Sequence, residues 1–538
     1  MRAASSQTGS RRRSLLTGVA VGAALLLTLG AALSVRLLRL GEVHYWFDET
    51  FSIRMAGFPL AEMVVRCSED THPPLFFWCL QGWLALFDAD EWWTRLFSTL
   101  WSLGAVVCAF GFTYEGLRQT QERPASGGAA LLGATLAGLG IALSPIHISW
   151  SQQVRMYAPV TCLALLSTWL LWRAIRQPES WSRWFWFTVV EIAGLYTHVT
   201  MLFVVAAHVL ALATVLLQRR RVWASAGRLA RPALLAMAAV GLASLPWMLV
   251  VHAQHRRVQD DFWIKPFDLD LLGEAFVKCF VVYQRPVSDP VVGLWIAQGL
   301  LVILVVVAMG RRPFDLLIAC AAGLPFIALI GVSLLGENIV NGRYFIAGHS
   351  LACVAVATFV ARLPKWLLRV PLAAVVVSGL GYFAWDYHAW RATAADGTGI
   401  PGMLETWREH RRADEPLVFS NPMFYTTACV YAGGPSGMKI FGAEADYPFF
   451  VGTALTSDDE YLSAARIDMS DWETVWVCDY GRRERFLMPV QLGNLWQLAT
   501  EISLNDYSGT FFLRRYDRQR HPERDISKHH IANERSSQ

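Results

Sequence analysis

Leu15–Ser34 is twenty consecutive residues without a charge, preceded by Arg11, Arg12 and Arg13. A run of about 20 apolar residues is what crosses a bilayer as a helix, and secretory signals have shorter apolar cores of ~7–15 residues. The run therefore reads as a retained first membrane span. Ten further candidates follow, at 94–117, 129–146, 156–173, 184–198, 200–217, 232–252, 291–310, 314–335, 344–361 and 366–385. Composition agrees: 54% of residues are hydrophobic and 17% charged, against about 25% charged in soluble domains. The expected fold is mainly α, a polytopic transmembrane bundle of about eleven spans. The fifth and sixth together cover only 184–217 and are joined by a tight turn, "YTHVT".

Charge placement orients the bundle. With the N-terminus in the cytoplasm, the even connections carry Arg118 and Arg123; Arg173, Arg176 and Arg183; Arg219–Arg221, Arg228 and Arg231; Arg311 and Arg312; and Arg362, Lys365 and Arg369. Basic loops stay inside. The opposite face then receives 41–93, 147–155, the turn around His198, 253–290, 336–343 and everything after about 386. These segments are rich in acids, histidines and aromatics, so any chemistry is expected on the outer face.

The expected organisation is a cytoplasmic tail at 1–13 and a transmembrane domain at 14–385, with a first outer loop at 41–93. An extracytoplasmic α/β domain at 386–517 and a disordered tail at 518–538 complete it. Strand patterns lie at 415–420, 474–480 and 508–517, and helical patterns near 402–412, 423–431 and 459–466. Nine cysteines show no CxxC and no zinc-type spacing; a disulfide between Cys429 and Cys478 stays open. No internal repeat and no nucleic-acid motif is present.

The candidate chemistry begins at "HYWFDETFSIRMA", where Asp48 and Glu49 sit among aromatics just past the first span. Neighbours on a helix point about 100° apart, so one acid can face a substrate while the other is bonded. "EDTHPPLFF" places His72 ahead of Pro73 and Pro74, which suit a first helical turn. "EWWTRLFS" places Arg95 at the mouth of the second span. "SQQVRMYA" places Arg155 and Tyr157 at the fourth, "YTH" places His198 in the short turn, and "ENIVNGRYF" places Arg343 and Tyr344 at the tenth. Taken singly, each reads as a cap, a snorkelling side chain or an interface aromatic. Together they put arginines and histidines on the side that holds Asp48 and Glu49. Arginine near lipid is costly unless paired with an acid or a phosphate, so the set suits chemistry on a lipid-linked phosphate. The competing reading is a polytopic transporter or lipid flippase, with Glu191 as its intramembrane acid; such proteins commonly show repeated halves, which are absent here.

In order and on one face, the acid pair, "HPPL", "RLFS", "SQQVRMY" and "YTH" resemble the GT-C superfamily of integral-membrane glycosyltransferases, in the branch of protein mannosyltransferases and aminoarabinose lipid A transferases. The resemblance covers about 1–385. It implies a sugar donor on a polyprenyl phosphate, transfer on the outer face with inversion, and a lipid, glycan or protein acceptor. It makes Asp48 the catalytic acid, accepting the acceptor hydroxyl's proton, with Glu49 as its helper. Donor phosphate ligands would be Arg155, His72 and Arg95; some members carry lysine where His72 stands. Tyr157, His198, Arg343 and Tyr344 are further substrate-site candidates. No cofactor and no catalytic metal is expected, and compact loops suggest a bacterial inner membrane. Which sugar and which acceptor are involved is not legible.

Overall fold

The computed structural model describes residues 2–119, 125–219, 223–258, 264–482, 485–486, 489–506 and 509–519. The chain forms two compact units, Met1–Asp396 and Gly397–Gln538.

The first unit is helical throughout. Its elements are α1 (Arg2–Leu37), α2 (Phe47–Ala56), α3 (Leu60–Glu69), α4 (Leu75–Leu84), α5 (Glu91–Arg118), α6 (Gly127–Leu143), α7 (Pro145–Ser151) and α8 (Tyr157–Arg176). They continue as α9 (Trp181–Thr197), α10 (Met201–Arg219), α11 (Trp223–Val258), α12 (Leu269–Phe280), α13 (Val291–Ala308), α14 (Pro313–Leu335), α15 (Ile346–Arg362) and α16 (Trp366–Ala394). Among the described residues, nine helices are long and apolar enough to cross a membrane, ten if α6 and α7 form one bent span. The expected fifth span is α9. Its 17 residues fall short of the ~20 that cross a bilayer, which accounts for the difference from eleven. The chain is a multi-pass membrane protein. Helix α1 already begins at Arg2, inside the segment expected as a tail.

Two breaks position the loop that follows α1. The α6–α7 axis bends by 58° at Pro145, whose missing N–H leaves the Ile141 carbonyl without a helical backbone partner. Arg36 of α1, fully buried, donates to the Ile141 and Ala142 carbonyls at 2.9 and 2.8 Å and to Ser102 Oγ at 2.9 Å. The C-terminal carbonyls of α1 are likewise claimed by distant side chains. Gln152 Nε2 donates to Arg36 O and Leu38 O, both at 2.8 Å, while Tyr387 Oη donates to Gln152 Oε1 at 3.0 Å. Arg391 of α16 donates to Arg39 O and Leu40 O at 3.2 and 3.4 Å. Non-helical backbone at membrane depth persists only where protein satisfies it in this way.

The second unit is α/β. A sheet runs in the order β3 (Tyr461–Leu462), β2 (Met438–Phe441), β1 (Leu417–Phe419), β4 (Thr474–Arg482), β7 (Thr510–Arg518), β6 (Trp496–Asn505), with β5 (Arg485–Phe486) paired to β4. Strands β1 to β4 are parallel; β7 runs antiparallel to both its neighbours. Helices α17 (Gly399–His410) and α18 (Pro422–Ala432) bury Met403, Leu404, Trp407 and Tyr425 with Phe419, Ile440 and Trp476 of the sheet. Asn421 caps α18, and Gly433, at φ 71°, ends it in the left-handed conformation that glycine tolerates. The expected helix near 459–466 is divided between β3 and the short α19 (Ala464–Asp468). Cys429 and Cys478 are buried and form no disulfide. Of the tail expected at 518–538, Arg518 closes β7 and 520–538 lie outside the described residues.

Candidate active site

Helix α2 carries the two acids into different surroundings. Glu49 turns inward, where Arg95 Nε and Nη2 donate to its two oxygens, both at 2.8 Å, and the Val154 amide adds 3.2 Å to Oε1. Arg95 Nη1 donates to Leu40 O and Val43 O at 2.9 and 2.7 Å, and Nη2 reaches His44 O at 3.3 Å. All five guanidinium N–H groups are thereby used. Both side chains are 1% exposed, so the pair is closed to substrate and fastens α2 to the end of α1 and the start of α5.

Asp48 turns the other way and keeps 18% of its side chain exposed. Its Oδ2 lies 3.4 Å from Arg343 Nη1 and 3.9 Å from Arg155 Nε. Arg343 arrives from a 3-10 turn, Gly342–Phe345, which Asn341 caps ahead of α15. Arg155 sits in the non-helical link between α7 and α8. Its Nη1 donates to Asp48 O at 3.2 Å and to Ser52 Oγ, one turn further along α2, at 3.3 Å. Its Nη2 meets His72 Nε2 at 3.0 Å, and its buried Nε has no hydrogen-bond partner.

His72 precedes α4, whose N-cap is Pro74. Arginine has only donors, so Nε2 of His72 accepts and its proton is on Nδ1. That Nδ1 faces Asp70 Oδ2 at 2.5 Å. Burial pushes the Asp70 carboxyl up, but His72, the Thr71 amide and Arg155 outweigh it and hold it below its ordinary value. His198, in the turn between α9 and α10, accepts the Thr200 amide on Nδ1 at 3.2 Å. Burial first, then His72 and the nearby guanidiniums, holds it well below the usual histidine range.

Aromatic rings form the wall beside these groups. Tyr157 packs on Trp150 (4.1 Å between centroids) and on His198 (5.2 Å). Tyr344 lies 6.1 Å and His72 6.3 Å from His198. Tyr283 packs edge-on to Trp150 at 5.5 Å, and burial holds its phenol well above the ordinary value despite Arg343. Asp48, His72, Arg155, Tyr157, His198, Arg343 and Tyr344 are thus brought together, while Glu49 and Arg95 pair beside them. Asp70, Ser52, Trp150 and Tyr283 were not singled out as site residues by the sequence. The readable sign for Asp70 was its place two residues before His72 in an extended, pre-proline segment.

Among the described residues, no group of three or more His, Cys, Asp or Glu side chains is gathered as metal ligands. Glu191 is fully buried, with Oε1 2.5 Å from His208 Nδ1, and His208 Nε2 lies 2.9 Å from Thr168 Oγ1.

The cluster offers a partly exposed carboxylate between two arginines, walled by aromatics. Such a group can take a proton while adjacent guanidiniums hold a phosphate. The family described as dolichyl-phosphate-mannose-protein mannosyltransferase matches residues 71–247. No curated protein matches the chain in sequence. Among solved structures, apo ArnT from Cupriavidus metallidurans is similar over 91% of this chain and 97% of that one, with 12% identity and a TM-score of 0.56. The structure of ArnT from Cupriavidus metallidurans bound to undecaprenyl phosphate gives 13% identity over the same shares and a TM-score of 0.44. The Archaeoglobus fulgidus oligosaccharyltransferase in complex with zinc and sulfate gives 12% identity over 84% and 67%, with a TM-score of 0.48. Residues 71–247 are thus similar to that mannosyltransferase family, and the chain shares its fold with apo ArnT.

Proposed function

We propose that the protein transfers a sugar from a polyprenyl-phosphate donor to a hydroxyl of a lipid, glycan or protein acceptor on the non-cytoplasmic face of the membrane, with inversion. The observation that carries this reading is the Asp48 carboxylate, partly exposed, set 3.4 Å from Arg343 and 3.9 Å from Arg155. The mannosyltransferase match over 71–247, which begins at Thr71 and takes in His72 and Arg155, supports the donor class.

In this mechanism Asp48 accepts the acceptor hydroxyl's proton as its oxygen attacks the anomeric carbon. The bond from that carbon to the phosphate oxygen breaks, and its electrons leave with the lipid phosphate. Arg155 and Arg343 stabilise the growing negative charge, an electrostatic role that works best in a dry, pre-organised site. The aromatic wall of Tyr157, Tyr283 and Tyr344 excludes water from the sugar. Glu49 and Arg95 hold α2 so that Asp48 faces the arginines. The two guanidiniums supply the positive charge, so the mechanism calls for no divalent cation.

Replacing Asp48 with Asn tests it. Transfer from undecaprenyl-phosphate-linked sugars, assayed in membranes, should fall about 10³-fold, within the range of lost general-base catalysis, while the variant still folds. Retained transfer would remove Asp48 from the mechanism.

A further inference from the structure

Asp70 is an acid that the mechanism above does not use. It ends α3 in an extended conformation (φ −90°, ψ −151°), with its N–H bonded to Arg66 O. His72 precedes proline and is biased to an extended conformation as well. Side chains two apart on an extended segment share a face, and the Asp70 carboxylate accordingly accepts a hydrogen bond from His72 Nδ1 at 2.5 Å. Asp70 itself is 7% exposed, too enclosed to meet a substrate directly.

The contact passes its consequence on. With the proton on Nδ1, His72 Nε2 is an acceptor, and it receives Arg155 Nη2 at 3.0 Å. Arg155 Nη1 is held separately by Asp48 O and Ser52 Oγ. Both outer nitrogens of the guanidinium are therefore fixed from opposite sides. What remains unbonded is Nε, buried and 3.9 Å from Asp48 Oδ2. A buried, unpartnered donor on a cation is an unusual cost, and an anionic oxygen arriving there would relieve it. Were His72 to carry its proton on Nε2 instead, it would confront Arg155 with a donor, and the guanidinium would have to swing away.

We infer that Asp70 is a positioning residue: acting through His72, it sets the plane of the Arg155 guanidinium so that its free Nε edge receives the phosphate of the lipid donor. This deepens the proposed function and rests on it for the identity of the ligand. Asp70 touches neither donor nor acceptor, and its role is felt wholly through Arg155.

The test is a double-mutant cycle on the full-length protein in detergent, reading the affinity for undecaprenyl phosphate. Asp70→Ala should weaken binding about tenfold, the scale of one hydrogen bond to a charged group. Asp70→Asn, which keeps an accepting oxygen for Nδ1–H, should restore affinity to within about threefold. In an Arg155→Ala background, Asp70→Ala should add less than about twofold, because the two act through one contact. Unchanged binding by Asp70→Ala, its full loss repeated on top of Arg155→Ala, or no rescue by Asn would each overturn the inference. Should Asp70→Ala not remain monodisperse, His72→Phe breaks the same chain one link later, in a setting that already holds Phe51 and Phe77, and the same outcomes decide. Failure of the unaltered protein to bind undecaprenyl phosphate overturns the donor reading and this inference with it. Binding that ignores Asp70 overturns the inference alone.

Discussion

Helix α2 has two sides built for different ends. On one, Glu49 and Arg95 meet in a two-bonded fork at 1% exposure, and every N–H of the guanidinium is taken. On the other, Asp48 stands at 18% exposure with arginines at 3.4 and 3.9 Å, and one of them keeps an unbonded Nε. Both sides are acid–arginine contacts from adjacent residues. The closed side has no vacancy and can only hold; the open side has contacts too long to be strong and donors to spare, which is what an incoming anion needs.

The contrast can be broken from either side. Asp48→Asn should cost activity most, about 10³-fold or ~4 kcal/mol of barrier, yet shift stability by only ~1 kcal/mol or less, because its ion contacts are long and partly solvated. Thermal melting in detergent alongside transfer assays separates the two. Glu49→Gln should do the opposite. It leaves the Arg95 charge buried without its partner, a loss of about 3–5 kcal/mol in stability, visible as low yield and a lowered melting temperature. Equal effects of both variants on melting would erase the distinction drawn here. Arg343→Lys, next in size, should lower kcat/KM for the donor about 10- to 100-fold through loss of the planar fork, with melting unchanged. The smallest effect should come from chelation: millimolar EDTA should leave transfer within about twofold, since guanidiniums take the part that a cation plays elsewhere. A collapse of activity restored by added metal would contradict the mechanism.

Much of this arrangement was readable in the sequence, for a physical reason. Charges at the ends of apolar spans are costly, so Asp48, Arg155 and Arg343 declare themselves as residues that must find partners. Which of two adjacent acids turns inward is another matter: spacing gives the ~100° divergence but not the direction, so the Glu49–Arg95 fork emerged only in the fold. Asp70 was visible merely as one acid of a loop, since its partner is chosen by backbone conformation rather than by periodicity. In the α/β unit, the apolar strands β1, β4 and β7 stood out. Strand β2 has only four residues, and β6 leaves most of its residues exposed, so neither carries an apolar run. The segment expected as a helix at 459–466 opens differently. Ser457 and Glu460 form a capping box, the signature of a helix start, but here it caps a single 3-10 turn before β3.

The carbonyls at the end of α1 bear on how the protein is made. Residues 36–40 are bonded by side chains from positions 95, 152 and 391, and Tyr387 steadies Gln152. Asp48, for its part, meets an arginine 295 residues further along the chain. During synthesis the first loop leaves the ribosome long before these partners exist. Of these partners, Tyr387 and Arg391 are made last, in α16. A chain stopped before α16 would carry every residue of the Asp48 cluster and still lack the clamp that shapes it. The clamp on the first loop thus comes from α16, the last helix of the first unit.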